Sequence, residues 1–253
     1  MQQPQQNSLH CNLQNQAGLI KDGASGPGAD FCQTLASRST RVMLKNDRAA
    51  DAGGVVAMTP AYHRAVFLDK DGTLIENLTF NTDPKKIRLS PEAGSALQRL
   101  QRLGYQLLVV SSQSGVGRGL FDEAALEGVH TRLASLLADF DVRLNGFYYC
   151  PHWLHSMMAR YAYLCQCRKP APGLLIQAAR RHTLDLSQCW MVGDILDDVE
   201  AGRRAGCRTV LIDNGNETEW ECSAVRRPHR LARDLPDAAD IIAHYASPAA
   251  SGL

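Results

Sequence analysis

The sequence has no long apolar run. No stretch approaches the roughly 18 consecutive uncharged apolar residues of a membrane helix, and the polar N-terminus lacks the apolar core of a signal peptide. The expectation is a cytoplasmic protein without membrane contact. An excess of one charge is missing too: 27 Lys plus Arg stand against 26 Asp plus Glu, a formal net charge of +1 over 253 residues. That balance carries no electrostatic footprint for nucleic acid or an anionic lipid surface. Cysteine is sparse, and eight unevenly spaced thiols are too few for a disulfide scaffold in a chain of this length. A cluster among them therefore reads first as a metal site.

Residues 1–60 lack sustained periodicity. From Met1-Gln-Gln-Pro-Gln-Gln-Asn7 through Gly23-Ala-Ser-Gly-Pro-Gly28 the composition cannot bury enough apolar surface to offset ordering entropy, so a disordered extension is expected. Residues 61–246 form the expected domain, and 247–253 a short tail.

The domain turns on Ala65-Val-Phe-Leu-Asp-Lys-Asp-Gly-Thr-Leu74, an apolar run that ends in two carboxylates, Asp69 and Asp71. Four apolar residues in a row suit a parallel strand covered on both faces, and such strand ends are where open α/β sheets place ligands. Alone, Asp-x-Asp-Gly is more often a turn whose carboxylates cap backbone amides. The later pattern decides. Ser90 reads as the N-cap of a helix stopped by Gly104. Gln106 to Ser112 is a second buried strand, 113–119 a loop, and Asp122 the cap of a helix with Leu126, Val129, Leu133, Leu136 and Leu137 on one face. A strand over 147–149, a helix over 172–182, a strand over 189–192 ending in Gly193-Asp194, a helix over 198–205 and a strand over 209–212 follow. The rest is polar and turn-rich until a last helix over 236–245. Strands alternating with helices predict a parallel sheet with right-handed crossovers.

In such a sheet the strand ends share one edge, so Asp69, Asp71, Ser111, Lys169 and Asp194 converge. Phosphoryl transfer needs this set: a carboxylate nucleophile, a second carboxyl as proton donor, oxygens for Mg2+, and a hydroxyl with an ammonium against the equatorial oxygens. A second constellation is Cys150-Pro-His152 followed, after twelve intervening residues, by Cys165-Gln-Cys167. Three thiolates and an imidazole complete a tetrahedral zinc shell, and a shell with no open position is structural. His155 is the alternative to His152. Cys11, Cys32, Cys189, Cys207 and Cys222 read as ordinary thiols, with Cys189 and Cys207 in the core.

Four motifs, Asp69-Lys-Asp-Gly-Thr73, the strand ending in Ser111, Lys169-Pro170, and Gly193-Asp194 with Asp198, resemble the haloacid dehalogenase superfamily of aspartate-nucleophile phosphatases over about residues 63–213. The resemblance implies an α/β fold, a three-layer doubly wound parallel sheet. It also implies Asp69 as nucleophile, Asp71 as general acid and then base, and Mg2+ held by Asp69, Asp194 and the Asp71 carbonyl. Ser111 and Lys169 would bind the transferred group. The zinc loop 150–167, with Gln113-Ser-Gly-Val-Gly-Arg-Gly119, is similar to the D-glycero-D-manno-heptose 1,7-bisphosphate 7-phosphatases and their relatives the histidinol-phosphate phosphatases. That branch implies no large cap domain, a small sugar phosphate as the only partner, a monomer, and removal of the 7-phosphate in heptose metabolism for lipopolysaccharide precursors.

The same resemblance assigns substrate contacts to Asn77, Leu78, Thr79, Phe80, Ser111, Ser112, Gln113, Ser114, Arg168, Lys169 and position 195. Three departures from the family pattern bear on substrate choice. Ser112 stands where Asn is usual, Thr79-Phe80 where Gly-Tyr is common, and Ile195 where a basic residue usually follows the metal-binding Asp. The competing expectations are a histidinol-phosphate or other small phosphomonoester phosphatase, and an inactive zinc-stabilised binding module.

Overall fold

The computed structural model describes residues 63–221 and 223–246. The extension expected over 1–60 and the tail 247–253 lie outside the described residues, as do Cys11, Cys32 and Cys222. Six strands, β1 (Ala65–Leu68), β2 (Gln106–Ser112), β3 (Gly146–Cys150), β4 (Trp190–Gly193), β5 (Arg208–Ile212) and β6 (Arg230–Ala232), form one sheet. Its order is β3-β2-β1-β4-β5-β6, and every neighbouring pair is parallel. The helices are α1 (Ala93–Arg102), the single turn α2 (Ser114–Gly117), α3 (Glu123–Ala138), α4 (Gly173–His182), α5 (Leu196–Ala205) and α6 (Leu235–Ala246).

Side chains alternate across a strand, and the central strands are apolar at both parities. Val66, Leu68, Leu107, Val109, Val192 and Val210 therefore pack one way, against Leu97 and Leu100 of α1, Leu126, Val129 and Leu133 of α3, and Ile242 of α6. Ala65, Phe67, Leu108, Val110 and Met191 pack the other way, against Leu174, Leu175 and Ala178 of α4 and Ala201 of α5. The result is the expected three-layer, doubly wound α/β sheet, with no large cap domain among the described residues.

The differences from expectation have local causes. Ser90 does not cap α1. Its amide instead donates to the Leu74 carbonyl at 3.0 Å, and left-handed Glu92 (φ 54°) opens the helix without a side-chain cap. The segment 113–119 contains the turn α2, too short to carry a helical period. Strand β6 went unread because only Ala232 of its three residues is buried, so an edge strand of this length shows no alternation. Asp122 caps α3 as expected, accepting from the Ala125 amide at 2.9 Å.

From β1 the chain winds outward through β2 to β3, and from β4 it winds the opposite way to β6. The strand order thus reverses between β1 and β4, which is the point where sheets of this kind open a crevice beyond their carboxyl ends.

Candidate active site

Asp69 follows β1 at that crevice, its amide bonded to the Val192 carbonyl of β4 at 2.9 Å. The residue is 8 % exposed, and Lys169 Nζ bonds its Oδ1. The same ammonium lies 2.5 Å from Asp198 Oδ1 on α5 and donates to the Val110 carbonyl at 3.3 Å. Burial by itself would lower the Lys169 pKa, but Asp198 and Asp69 outweigh it and the net shift is upward. The ammonium therefore stays charged.

Asp71 sits two residues on. Lys70 Nζ donates to its Oδ1 at 2.6 Å and Gln113 Nε2 to its Oδ2 at 3.3 Å. Gln113 Nε2 also donates to Ser111 Oγ at 2.7 Å, which joins the ends of β1 and β2. Burial pushes the Asp71 carboxyl above the ordinary carboxylate range, Lys70 opposes that and Asp69 adds to it. A raised carboxyl suits a group that must carry a proton before it can give one.

Asp194 ends β4. Thr73 Oγ1 donates to its Oδ1 at 3.2 Å and Asn216 Nδ2 to its Oδ2 at 2.7 Å. Gly72 makes this approach possible. It adopts φ +82°, and a Cβ there would fall 2.1 Å from Asp194 Oδ2. Carboxylate oxygens of Asp69, Asp194 and Asp198 lie within 4.8 Å of one another. Burial first, then the Asp69 charge, push Asp194 up to about 6. Burial pushes Asp198 up to about 7 despite Lys169. Three buried carboxylates share one ammonium, and that surplus of hard oxygen donors fits a divalent cation such as Mg2+.

The thiol cluster forms where β3 ends. Cys150 Sγ lies 3.4 Å from His152 Nδ1, 3.5 Å from Cys165 Sγ and 3.1 Å from Cys167 Sγ, and His152 Nδ1 lies 3.1 Å from Cys167 Sγ. Hydrogen bonds from Cys150 and Cys167 hold the Cys165 thiol far below its usual range, while those two are pushed up, Cys150 to about 12. Three sulfurs and one imidazole nitrogen so close together are the donor set of structural zinc, which binds such side chains with the thiols deprotonated. His155 instead packs edge-on against Trp153, so His152 is the imidazole of the cluster.

The carboxyl edge therefore brings together Asp69, Asp71, Ser111, Gln113, Lys169 and Asp194. Ser114 is buried beside them, Ser112 and Ile195 are half-buried, and Asn77, Leu78, Thr79, Phe80 and Arg168 are exposed. A family model described as HAD-hydrolase-like matches residues 166–238. A D-glycero-beta-D-manno-heptose-1,7-bisphosphate 7-phosphatase of Salmonella typhi is 38 % identical over 177 residues, 69 % of this chain and 94 % of that protein. The enzyme of the same name from Escherichia coli K12 is 34 % identical over 69 % of this chain and 92 % of its own length. The chain belongs to the heptose-bisphosphate phosphatase family. Two solved structures share its fold. A Mesorhizobium loti protein described as HAD-like has a TM-score of 0.67 at 30 % identity, covering 83 % of this chain and 94 % of that one. The D,D-heptose 1,7-bisphosphate phosphatase of B. bronchiseptica, complexed with magnesium and phosphate, has a TM-score of 0.59 at 27 % identity, covering 72 % and 99 %.

Within this family member, reasoning from sequence missed two residues of the site and gave a third no role. Asn216 lies in a polar, turn-rich segment that carries no period, so nothing marked it as the partner of Asp194. Asp198 appeared in the fourth motif without a function; it is a buried acid that also accepts from the Ile195 amide at 3.3 Å. Lys70 reads in sequence as the interchangeable residue of Asp-x-Asp, yet it is buried. Arg118 stacks over Trp153 at 4.4 Å and Phe80 at 5.6 Å, joining the 77–80 segment to the thiol loop.

Proposed function

We propose that this chain is a Mg2+-dependent phosphatase that removes the 7-phosphate of D-glycero-D-manno-heptose 1,7-bisphosphate through an aspartyl-phosphate on Asp69, working as a cytoplasmic monomer. The observation that carries the reading is the buried Asp69 carboxylate held by Lys169 beside Asp71, Ser111 and Asp194. The printed names of the relatives supply the substrate.

In this mechanism Asp69 attacks phosphorus in line while Asp71 protonates the leaving oxygen. Asp71, now a carboxylate, takes a proton from the water that hydrolyses the acyl phosphate. Lys169 Nζ and Ser111 Oγ hold two equatorial oxygens, and to do so the Lys169 ammonium turns one of the three N–H groups it now shares among Asp69, Asp198 and the Val110 carbonyl toward the phosphoryl group. Bound Mg2+, held by Asp69, Asp194 and the Asp71 carbonyl, would neutralise phosphoryl charge. Zn2+ on Cys150, His152, Cys165 and Cys167 would be structural. Arg168 presents a fork suited to a second phosphate, the exposed 77–80 segment with Ser112 and Ser114 lines the sugar side, and Ile195 adds bulk without charge.

The test assays phosphate release from both anomers of the heptose bisphosphate and from histidinol phosphate, with Mg2+ and with metal analysis of the same preparation. Turnover is expected to be fastest on a heptose bisphosphate and to fall at least about 10³-fold in Asp69→Asn. Turnover in that variant at the parent rate would remove the nucleophile assignment. Preference for histidinol phosphate would move the substrate to the sister branch, and sugar-phosphate binding without turnover would leave a binding module.

A further inference from the structure

Lys70 stands between the two catalytic carboxylates, yet it is only 1 % exposed, as deep as the leucines of the core. An ammonium is costly to bury unless it is paired. Its side-chain hydrogen bond among the described residues runs to Asp71 Oδ1, at 2.6 Å. The other carboxyl oxygen, Oδ2, meets the Gln113 amide at 3.3 Å, and that amide is more closely bound to Ser111 Oγ at 2.7 Å. The Asp71 side chain is 31 % exposed, so one of its oxygens is backed by a buried cation while the carboxyl as a whole remains open to the crevice. An oxygen that accepts a short bond from an ammonium is a poor seat for a proton, which leaves Oδ2 as the seat.

A carboxyl that gives a proton and takes one back within a turnover must present the same oxygen twice. We propose that Lys70 is a positioning residue for Asp71: its ammonium fixes Oδ1 at the back of the site, so that Oδ2 alone delivers the proton and recovers it. The inference rests on the phosphatase reading above. In the first half-reaction a carboxylate oxygen of Asp69 bonds to phosphorus, the bond from phosphorus to the leaving oxygen breaks, and that oxygen keeps the electron pair and receives the Oδ2 proton. In the second, a water oxygen bonds to phosphorus, the bond to Asp69 breaks, and the proton lost by water returns to Oδ2.

Leaving groups separate positioning from bulk structure, because an alkoxide must be protonated as it departs whereas p-nitrophenolate need not be. Lys70→Met and Lys70→Arg are compared with wild type in single-turnover assays, using the best alkyl phosphate substrate and p-nitrophenyl phosphate. Lys70→Met is expected to slow phosphorylation by the alkyl ester at least about tenfold more than by the aryl ester, with KM for both near wild type. Lys70→Arg is expected to recover most of that ratio. Equal slowing on both esters, or none, overturns the inference. Should Lys70→Met fail to fold, Lys70→Gln replaces it under the same criterion. A wild-type protein that turns over neither ester overturns the phosphatase reading and this inference with it, whereas an active wild type with uniform losses overturns the inference alone.

Discussion

Lys169 is the cation on which the charge balance of the crevice depends, since Asp69 and Asp198 both lean on it. Replacing it by Met leaves two buried carboxylates without their counter-charge. We expect Lys169→Met to lose about 3–5 kcal/mol of stability in metal-free urea unfolding as well as nearly all activity. A loss below about 1 kcal/mol would show that the ion pairs are weaker than their burial implies. A separate titration acts on the far side of β5. The Thr209 amide donates to His229 Nδ1 at 3.0 Å, so that nitrogen must be unprotonated. Partial burial, followed by Arg203, Arg208 and Arg230, lowers the His229 pKa from its ordinary 6.5. The unfolded chain therefore takes up the proton first. The contribution to stability is complete above 6.5 and is lost as pH falls from there toward the folded pKa. His229 is exposed, so the effect is small: between pH 7 and 5.5 the wild type should lose on the order of 1 °C more in Tm than His229→Gln. Parallel Tm profiles would assign the pH dependence elsewhere. The residues legible in sequence were those whose chemistry is tied to strand ends, Asp69, Asp71, Ser111, Lys169 and Asp194. Asn216 was not, because its contact with Asp194 comes from a segment without period, and Lys70 was not, because nothing in the sequence marks a lysine between two acids as buried.

Among the elements, the loop 150–167 couples the two constellations. It starts from β3, where the Gln113 amide bonds the Cys150 carbonyl at 2.8 Å, and it returns at Cys167, one residue short of the pair Arg168-Lys169. Gly173 permits the return: a Cβ there would meet the Gln166 carbonyl oxygen at 2.1 Å. The loop has a second anchor, because the Tyr149 and Tyr161 hydroxyls donate to opposite oxygens of Glu123, at 2.6 and 2.7 Å, in the first turn of α3. Verified zinc removal is therefore expected to raise KM and lower Tm while leaving the fold intact, and by less than the roughly 10 kcal/mol that a structural zinc contributes to an isolated peptide. Unchanged KM and Tm after chelation would make the four-ligand cluster a bystander. The paired Cys-x-His and Cys-x-Cys spacing made this cluster readable in advance. The Glu123 anchor was not readable, because it joins three elements far apart in sequence.

At the scale of the whole molecule, the layer order was legible because the central strands are apolar at both parities while the helices carry one apolar stripe each. The edge strand β6 and the cap of α1 escaped because a three-residue strand and a left-handed entry residue leave no periodic trace. The sheet is covered on both faces by its own helices, and among the described residues no helix is long and apolar enough to cross a membrane. We expect sedimentation at the mass of a single 27.7 kDa chain, and a concentration-dependent shift toward twice that mass would count against the monomer. The link Cys167-Arg168-Lys169 has one more consequence. Cys165 and Cys167 are partly exposed on the loop. A cadmium ion or an arsenical that captured those sulfurs could poison the enzyme without entering its mouth, pulling on a leash one residue long. Excess magnesium would not rescue it, since the injury would lie in the ammonium's seat and not in competition for the carboxylates.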